Sequence, residues 1–94
     1  MDELRIVVAG EQAALVGELD GTQRSRLLAA FAHVRGDAMT VDLGGLTFVD
    51  SAGLRALIDL RAEHPRLQLA EPSKATQRIV RVVRPDEFLF GEAS

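Results

Sequence analysis

The chain has 94 residues, enough for one small domain, and 47% are hydrophobic against 27% charged, the balance of a chain that folds around its own core. Fourteen acidic residues outnumber eleven basic ones for a formal net charge of -3, and no basic stripe gathers, which argues against a nucleic-acid partner. The absence of cysteine excludes disulfides, zinc–thiolate sites and thiol catalysis, no apolar run reaches the ~18 residues needed to span a bilayer, and the opening MDELRIVV does not read as a signal peptide, so a cytoplasmic protein without membrane insertion is expected.

The segment LRIVVA (4–9) is short and β-branched and predicts a strand, and AALVGEL (13–19) predicts a second. Gly10 and Glu11 between them suit a tight hairpin. In DGTQRSRLLAAFAHV, Asp20 or Thr22 is a capping residue, and Leu27, Leu28, Phe31 and Val34 form one apolar helix face, with Gly36 at its end.

MTVDL (39–43) predicts a third strand, after which GGLTF reads as an irregular approach to Ser51. SAGLRALIDLRAEH predicts a helix with Leu54, Leu57 and Ile58 inward and Pro65 as its stop. LQLA (67–70) is a fourth strand, and SKATQRIVRVV a third helix with Ala75, Ile79, Val82 and Val83 on one face. In the tail, EFLF (87–90) reads either as a short strand or as a helical turn over the sheet. Strands alternating with helices after an opening hairpin predict an α/β domain with a small mixed, mostly parallel sheet of four to five strands and helices on one side, a single domain over 1–94. In such sheets the functional crevice lies beyond the carboxyl ends of the strands, where the loops entering Asp20 and Ser51 both fall.

Ser51, between Asp50 and Ala52-Gly53, admits three readings. A nucleophile needs a base within hydrogen-bond reach. The chain has two histidines, and His64 stands thirteen residues along the helix that Ser51 begins, roughly 20 Å away. The run FVDSAG carries only half of a hydrolase elbow, with Val49 where its first glycine belongs. A helix cap is the structural alternative, since either Asp50 or Ser51 can accept from the free amides of the first turn. A modification site uses the same geometry: a helix N-terminus tolerates a phosphate, which adds about -1.5 to -2 charges at pH 7 to whatever surface docks there. Neither histidine has metal-ligand spacing to another candidate. Gly44-Gly45 lacks the lysine and the following helix of a phosphate loop, so no cofactor is expected. Arg78, Arg81 and Arg84 follow helical spacing and read as a solvated face.

The segments VGELD (16–20), TVDLGGLTFVDSAGL (40–54) and AEPSKATQRIV (70–80) stand in the order and spacing of the STAS domain, and the chain resembles the bacterial anti-sigma factor antagonists over roughly residues 4–83. The resemblance implies a binding module, not an enzyme. It implies that Ser51 is phosphorylated by a partner anti-sigma factor that is a serine kinase, that the unphosphorylated form binds that partner and so frees a sigma factor, and that a serine phosphatase reverses the switch. It carries Asp20, Asp50, Ser51, Ala52, Gly53 and Leu54 over as partner contacts. Arg55 joins them as a departure, because the family often has glycine there, and Asp59 lies four residues on for it to pair with. Many relatives have a second serine where this chain has Ala52. The alternative within the family is a STAS subunit of a larger assembly, such as a stress-signalling complex or a phospholipid-transport ATPase, without a switch at Ser51.

Overall fold

A computed structural model describes residues 3–34 and 38–83. The order of elements is β1 (Arg5–Ala9), β2 (Gln12–Leu19), α1 (Arg24–Ala30), β3 (Met39–Val49), α2 (Ser51–Glu63), β4 (Leu67–Ala70) and α3 (Lys74–Val83). The four strands form one sheet in the order β1-β2-β3-β4. β1 runs antiparallel to β2, while β2, β3 and β4 are mutually parallel. The mixed, mostly parallel sheet with three helices is the architecture expected.

Each connection has a local cause. Gly10 sits at φ +62 in the two-residue hairpin loop, a conformation a side chain disfavours, so glycine there sets the β1–β2 register of Ala9 opposite Gln12. The two parallel joins are made by helices, as parallel pairing requires a crossover. Alternate residues of β2, namely Ala13, Leu15 and Leu19, face inward and are buried. They join Val41 and Leu43 of β3, Leu67 and Leu69 of β4, Leu27 of α1 and Leu54, Leu57 and Leu60 of α2 in one core. α1 and α2 pack on each other, and α3 packs on α2 and β3. Val7, Asp42, Phe48 and Gln68 mark the opposite face of the sheet and are exposed.

Four details differ from the expectations. The segment GGLTF is strand, not an irregular approach: β3 is 11 residues long and pairs with β2 as far as Leu19 opposite Val49. Its buried positions are Met39, Val41, Leu43, Leu46 and Val49, so the spacing widens from two residues to three. Two bulges cause this, one between Ala14 and Val16 and one between Gly17 and Glu18, each opposed by an extra β3 residue. Gly45 is needed at the first, because a Cβ there would come within 2.9 Å of Val16 Cγ2. The Asp42 carboxylate accepts from the Gly44 N–H at 2.7 Å and supplies a partner where the ladder is disturbed.

The first helix is also shorter than its apolar pattern. A 3₁₀ turn over Gly21–Gln23 precedes α1, and α1 stops at Ala30. Phe31 and Val34 remain buried but sit on turns, with the Val34 N–H donating to the Phe31 carbonyl at 3.0 Å. On α3, Ala75 and Ile79 pack against the core, whereas Val82 and Val83 are exposed. Core contact on the inner side comes from Val80 and from Thr76, which is fully buried and satisfied by Ser73. The histidines, which as polar helix residues are expected on the solvent side, divide: His64 is half-buried and His33 is exposed. Gly36, Arg84 and the EFLF tail lie outside the described residues.

Leu57 stands fully buried in this core. Leu57→Ala is expected to lower unfolding stability by about 2–5 kcal/mol, read from the urea midpoint at unchanged m-value.

Candidate functional site

The site is assembled where the C-terminal ends of β2 and β3 lie side by side. Leu19 and Val49 are opposite each other in the last register pair of the two strands, so the chain leaves both strands at the same level and Asp20 and Asp50 follow as neighbours in the topology. Each aspartate then opens a helical segment. The Asp20 carboxylate accepts from the Thr22 N–H at 2.9 Å and from the Thr22 hydroxyl, and the Gln23 side chain accepts from the Asp20 N–H at 2.9 Å, closing a capping box. The Asp50 carboxylate accepts from the Gly53 N–H at 2.7 Å.

Asp50 is therefore the N-cap of α2 and Ser51 its first helical residue. The division of labour matters chemically. The cap is a carboxylate, so the Ser51 hydroxyl is not required to hold the helix, and Ser51 is exposed. Of the three readings of this serine, the cap falls to its neighbour.

Two glycines clamp the loops together. A Cβ on Gly53 would overlap the Leu19 carbonyl oxygen, and a Cβ on Gly21 would meet Ala52 Cβ at 2.9 Å. The first turn of α2 therefore rests directly on the end of β2 and on the Asp20 loop. The Gly53 contact is with the Leu19 backbone and the Gly21 contact is with the Ala52 methyl group, and neither leaves room for a side chain.

The structure sorts the expected contact residues by accessibility. Ser51, Ala52 and Arg55 are exposed, and Asp20 and Asp50 are half-buried. Gly53 is buried and Leu54 is 0% exposed, so Leu54 belongs to the core and offers nothing to a partner; it fixes the rotation of α2 that turns Ser51 and Arg55 outward.

Arg55 lies one turn beyond Ser51, and its Nε pairs with Asp59 Oδ1 at 3.3 Å. The other Asp59 oxygen accepts from Arg24 Nε of α1 at 2.9 Å. Asp59 thus ties α1 to α2 and holds two cations, one on each oxygen. Arg24 is a site-flanking residue that sequence reasoning missed. Its partner is 35 residues away, and no local spacing signals such a pair.

Beside the site, α3 packs against the second half of β3, which among the described residues has no strand on that side, since β4 pairs only with Met39–Asp42. Between them lies a groove of about 220 Å³ lined by Thr47, Phe48, Ile79 and Val82, with Arg78 at its rim. Phe48 and Val82 are 46% and 73% exposed, and Phe48 lies three residues before Ser51.

Neither histidine is placed to serve Ser51 as a general base. His64 caps the far end of the 13-residue α2, and His33 lies beyond the last turn of α1. Among the described residues no group of three or more His, Asp or Glu is arranged to hold a metal ion, and no helix is long and apolar enough to cross a membrane.

A sequence-family model described as "Mlab, STAS domain" matches residues 5–90. The chain belongs to the STAS domain family. A comparison with curated proteins returns no match. STAS domains are generally binding modules that act through protein–protein contact, and the features above place this STAS domain's exposed serine on the surface where two strand ends and two helix starts converge.

The clamp gives two graded outcomes. Asp50→Ala removes a cap and is expected to cost about 0.5–2 kcal/mol. Gly53→Ala forces the helix start away from Leu19 and should destabilise by more than Asp50→Ala. Thermal unfolding of the two variants checks the order.

Proposed function

We propose that this STAS domain is an anti-sigma factor antagonist whose binding is switched at Ser51. One observation carries the reading. Ser51 is an exposed hydroxyl at the first turn of α2, relieved of capping by Asp50 and set on a rigid surface with the Asp20 loop. Such a surface docks a protein, and such a hydroxyl is accessible to a kinase.

The partner in this reading is an anti-sigma factor that is itself a serine kinase. In its complex the γ-phosphoryl group of ATP passes to Ser51 Oγ, the hydroxyl proton leaves, and ADP is released. The exposed patch of Asp20, Asp50, Ser51, Ala52 and Arg55 is the docking face. Phosphorylation places a dianion beside Asp50 at its centre, where a like-charge clash costs several kcal/mol and ~2.7 kcal/mol already weakens an affinity a hundredfold. Because the helix N-terminus accommodates the phosphate, the fold is kept while the surface changes. A serine phosphatase restores the binding form. The chain works as one domain, without a cofactor, in a bacterial cytoplasm.

The exposed groove beside Phe48 and Val82 favours a second reading. Uncovered apolar surface is what a constitutive assembly buries, as in a STAS subunit of a stress-signalling complex or a phospholipid-transport ATPase with Ser51 unmodified.

A capture experiment from source-cell lysate with wild type, Ser51→Ala and Ser51→Glu as baits separates the two. The switch predicts that a kinase-like anti-sigma factor is held by wild type and Ser51→Ala and lost, by about a hundredfold or more in affinity, with Ser51→Glu. Equal capture of the same transport or scaffold subunits by all three baits sinks it in favour of the constitutive assembly.

A further inference from the structure

Ser51, Arg55 and Asp59 follow one another at i, i+4 and i+8 on a single edge of α2, with Ser51 and Arg55 exposed. Neighbours at this spacing stand about 5–6 Å apart at Cβ, so the Arg55 guanidinium can turn toward either end of the column. In the unmodified chain it turns toward Asp59. We propose that phosphorylated Ser51 takes Arg55 from Asp59, so that modification removes a cation from the docking face as well as adding an anion to it. The proposal rests on the reading of Ser51 as the modified residue, and it names the residue that holds the phosphate.

Three independent features favour the transfer. The first is charge. A phosphate presents about -1.5 to -2 charges on three oxygens, whereas Asp59 presents one charge. The second is orientation along the helix. An anion N-terminal to a cation at i,i+4 is the better arrangement and the reverse is poorer. The Arg55–Asp59 pair is the reverse, and phospho-Ser51–Arg55 is the favoured order. The third is that Asp59 is not left alone. Its Oδ2 keeps Arg24 at 2.9 Å, the shorter of its two bonds, when Arg55 leaves Oδ1. Arg55 is the more exposed of the two cations, 68% against 49%, and so the less constrained by its surroundings.

The functional consequence is the loss of one pairing for the partner. Before modification Arg55 is held by an exposed 3.3 Å pair with Asp59, a weak bond from which it can turn to a partner carboxylate. Afterwards the same guanidinium is engaged by the phosphate, and a partner loses that pairing as well as meeting the new charge.

The test is a ³¹P NMR pH titration of the full chain carrying phosphoserine at position 51, installed during synthesis. The second phosphate pKa is expected about half a unit lower in the otherwise wild-type chain than with Arg55→Gln. Asp59→Asn should lower it again by freeing Arg55, and that effect should vanish in the Arg55→Gln background. Equal pKa values with and without Arg55, or an Asp59→Asn effect that persists without Arg55, would overturn the transfer. Because no kinase is needed, this outcome is independent of the capture experiment. A Ser51→Glu bait that keeps its partner would defeat the switch while leaving the titration result intact.

Discussion

The contact on which the site depends is the meeting of Gly53 with the Leu19 carbonyl. α2 is the central helix of the core, and its position over the sheet is set by how closely its first turn can approach the end of β2. With glycine at 53 that approach is backbone on backbone. The Asp50 carboxylate then reaches the Gly53 amide at 2.7 Å. Leu54 drops into the core, and Ser51 and Arg55 are left on the outside. A larger residue at 53 would lift the helix start, lengthen the cap bond and uncouple the Asp20 loop. Site and fold are therefore held by one interaction, and the surface that binds cannot loosen without loosening the core beneath it.

Much of this was legible from the residues. The β-branched run at 4–9, the apolar segment at 13–19, the glycine between them and the leucine spacing after Ser51 each point to one local structure, and the structure agrees with all of them. The cap positions were legible to within a residue or two, as Asp20 or Thr22 and as Asp50 or Ser51, because capping chemistry is local; the structure assigns both caps to the aspartates, whose carboxylates accept from an amide two or three residues on. Less legible was whatever depended on residues distant in sequence. Arg24 reaches Asp59 only because α1 and α2 are packed together. α3 looked as though its two terminal valines faced inward, but the helix meets β3 on Ala75 and Ile79 and leaves Val82 exposed. The second half of β3 was hidden for a different reason, since glycines carry no hydrophobic signal and the bulges break the period of two that marks a strand.

The electrostatic design of the surface follows from the same economy. Asp59, in the α1–α2 seam, pairs with two arginines, each on its own oxygen. Exposed pairs of this kind contribute little to stability, ~0–1 kcal/mol each. Their value lies in being exchangeable. A charge pattern that can be rearranged at low cost suits a surface whose partner must be released, whereas the apolar groove beside Phe48 has no comparable means of release.

The two bulges of β3 have a consequence for which changes of length this fold can absorb. Each bulge takes up one extra β3 residue and leaves the strand in phase with β2: Leu46, between the two, is buried opposite Gly17, and Val49, beyond both, is buried opposite Leu19. Without a bulge the same extra residue would exchange the inward and outward faces of all that follows. Removing one residue at a bulge would therefore return that stretch to a regular ladder and still deliver Val49 opposite Leu19 into Asp50 and Ser51. Length variation in the strand that feeds the serine is absorbed at these two points, one residue at each.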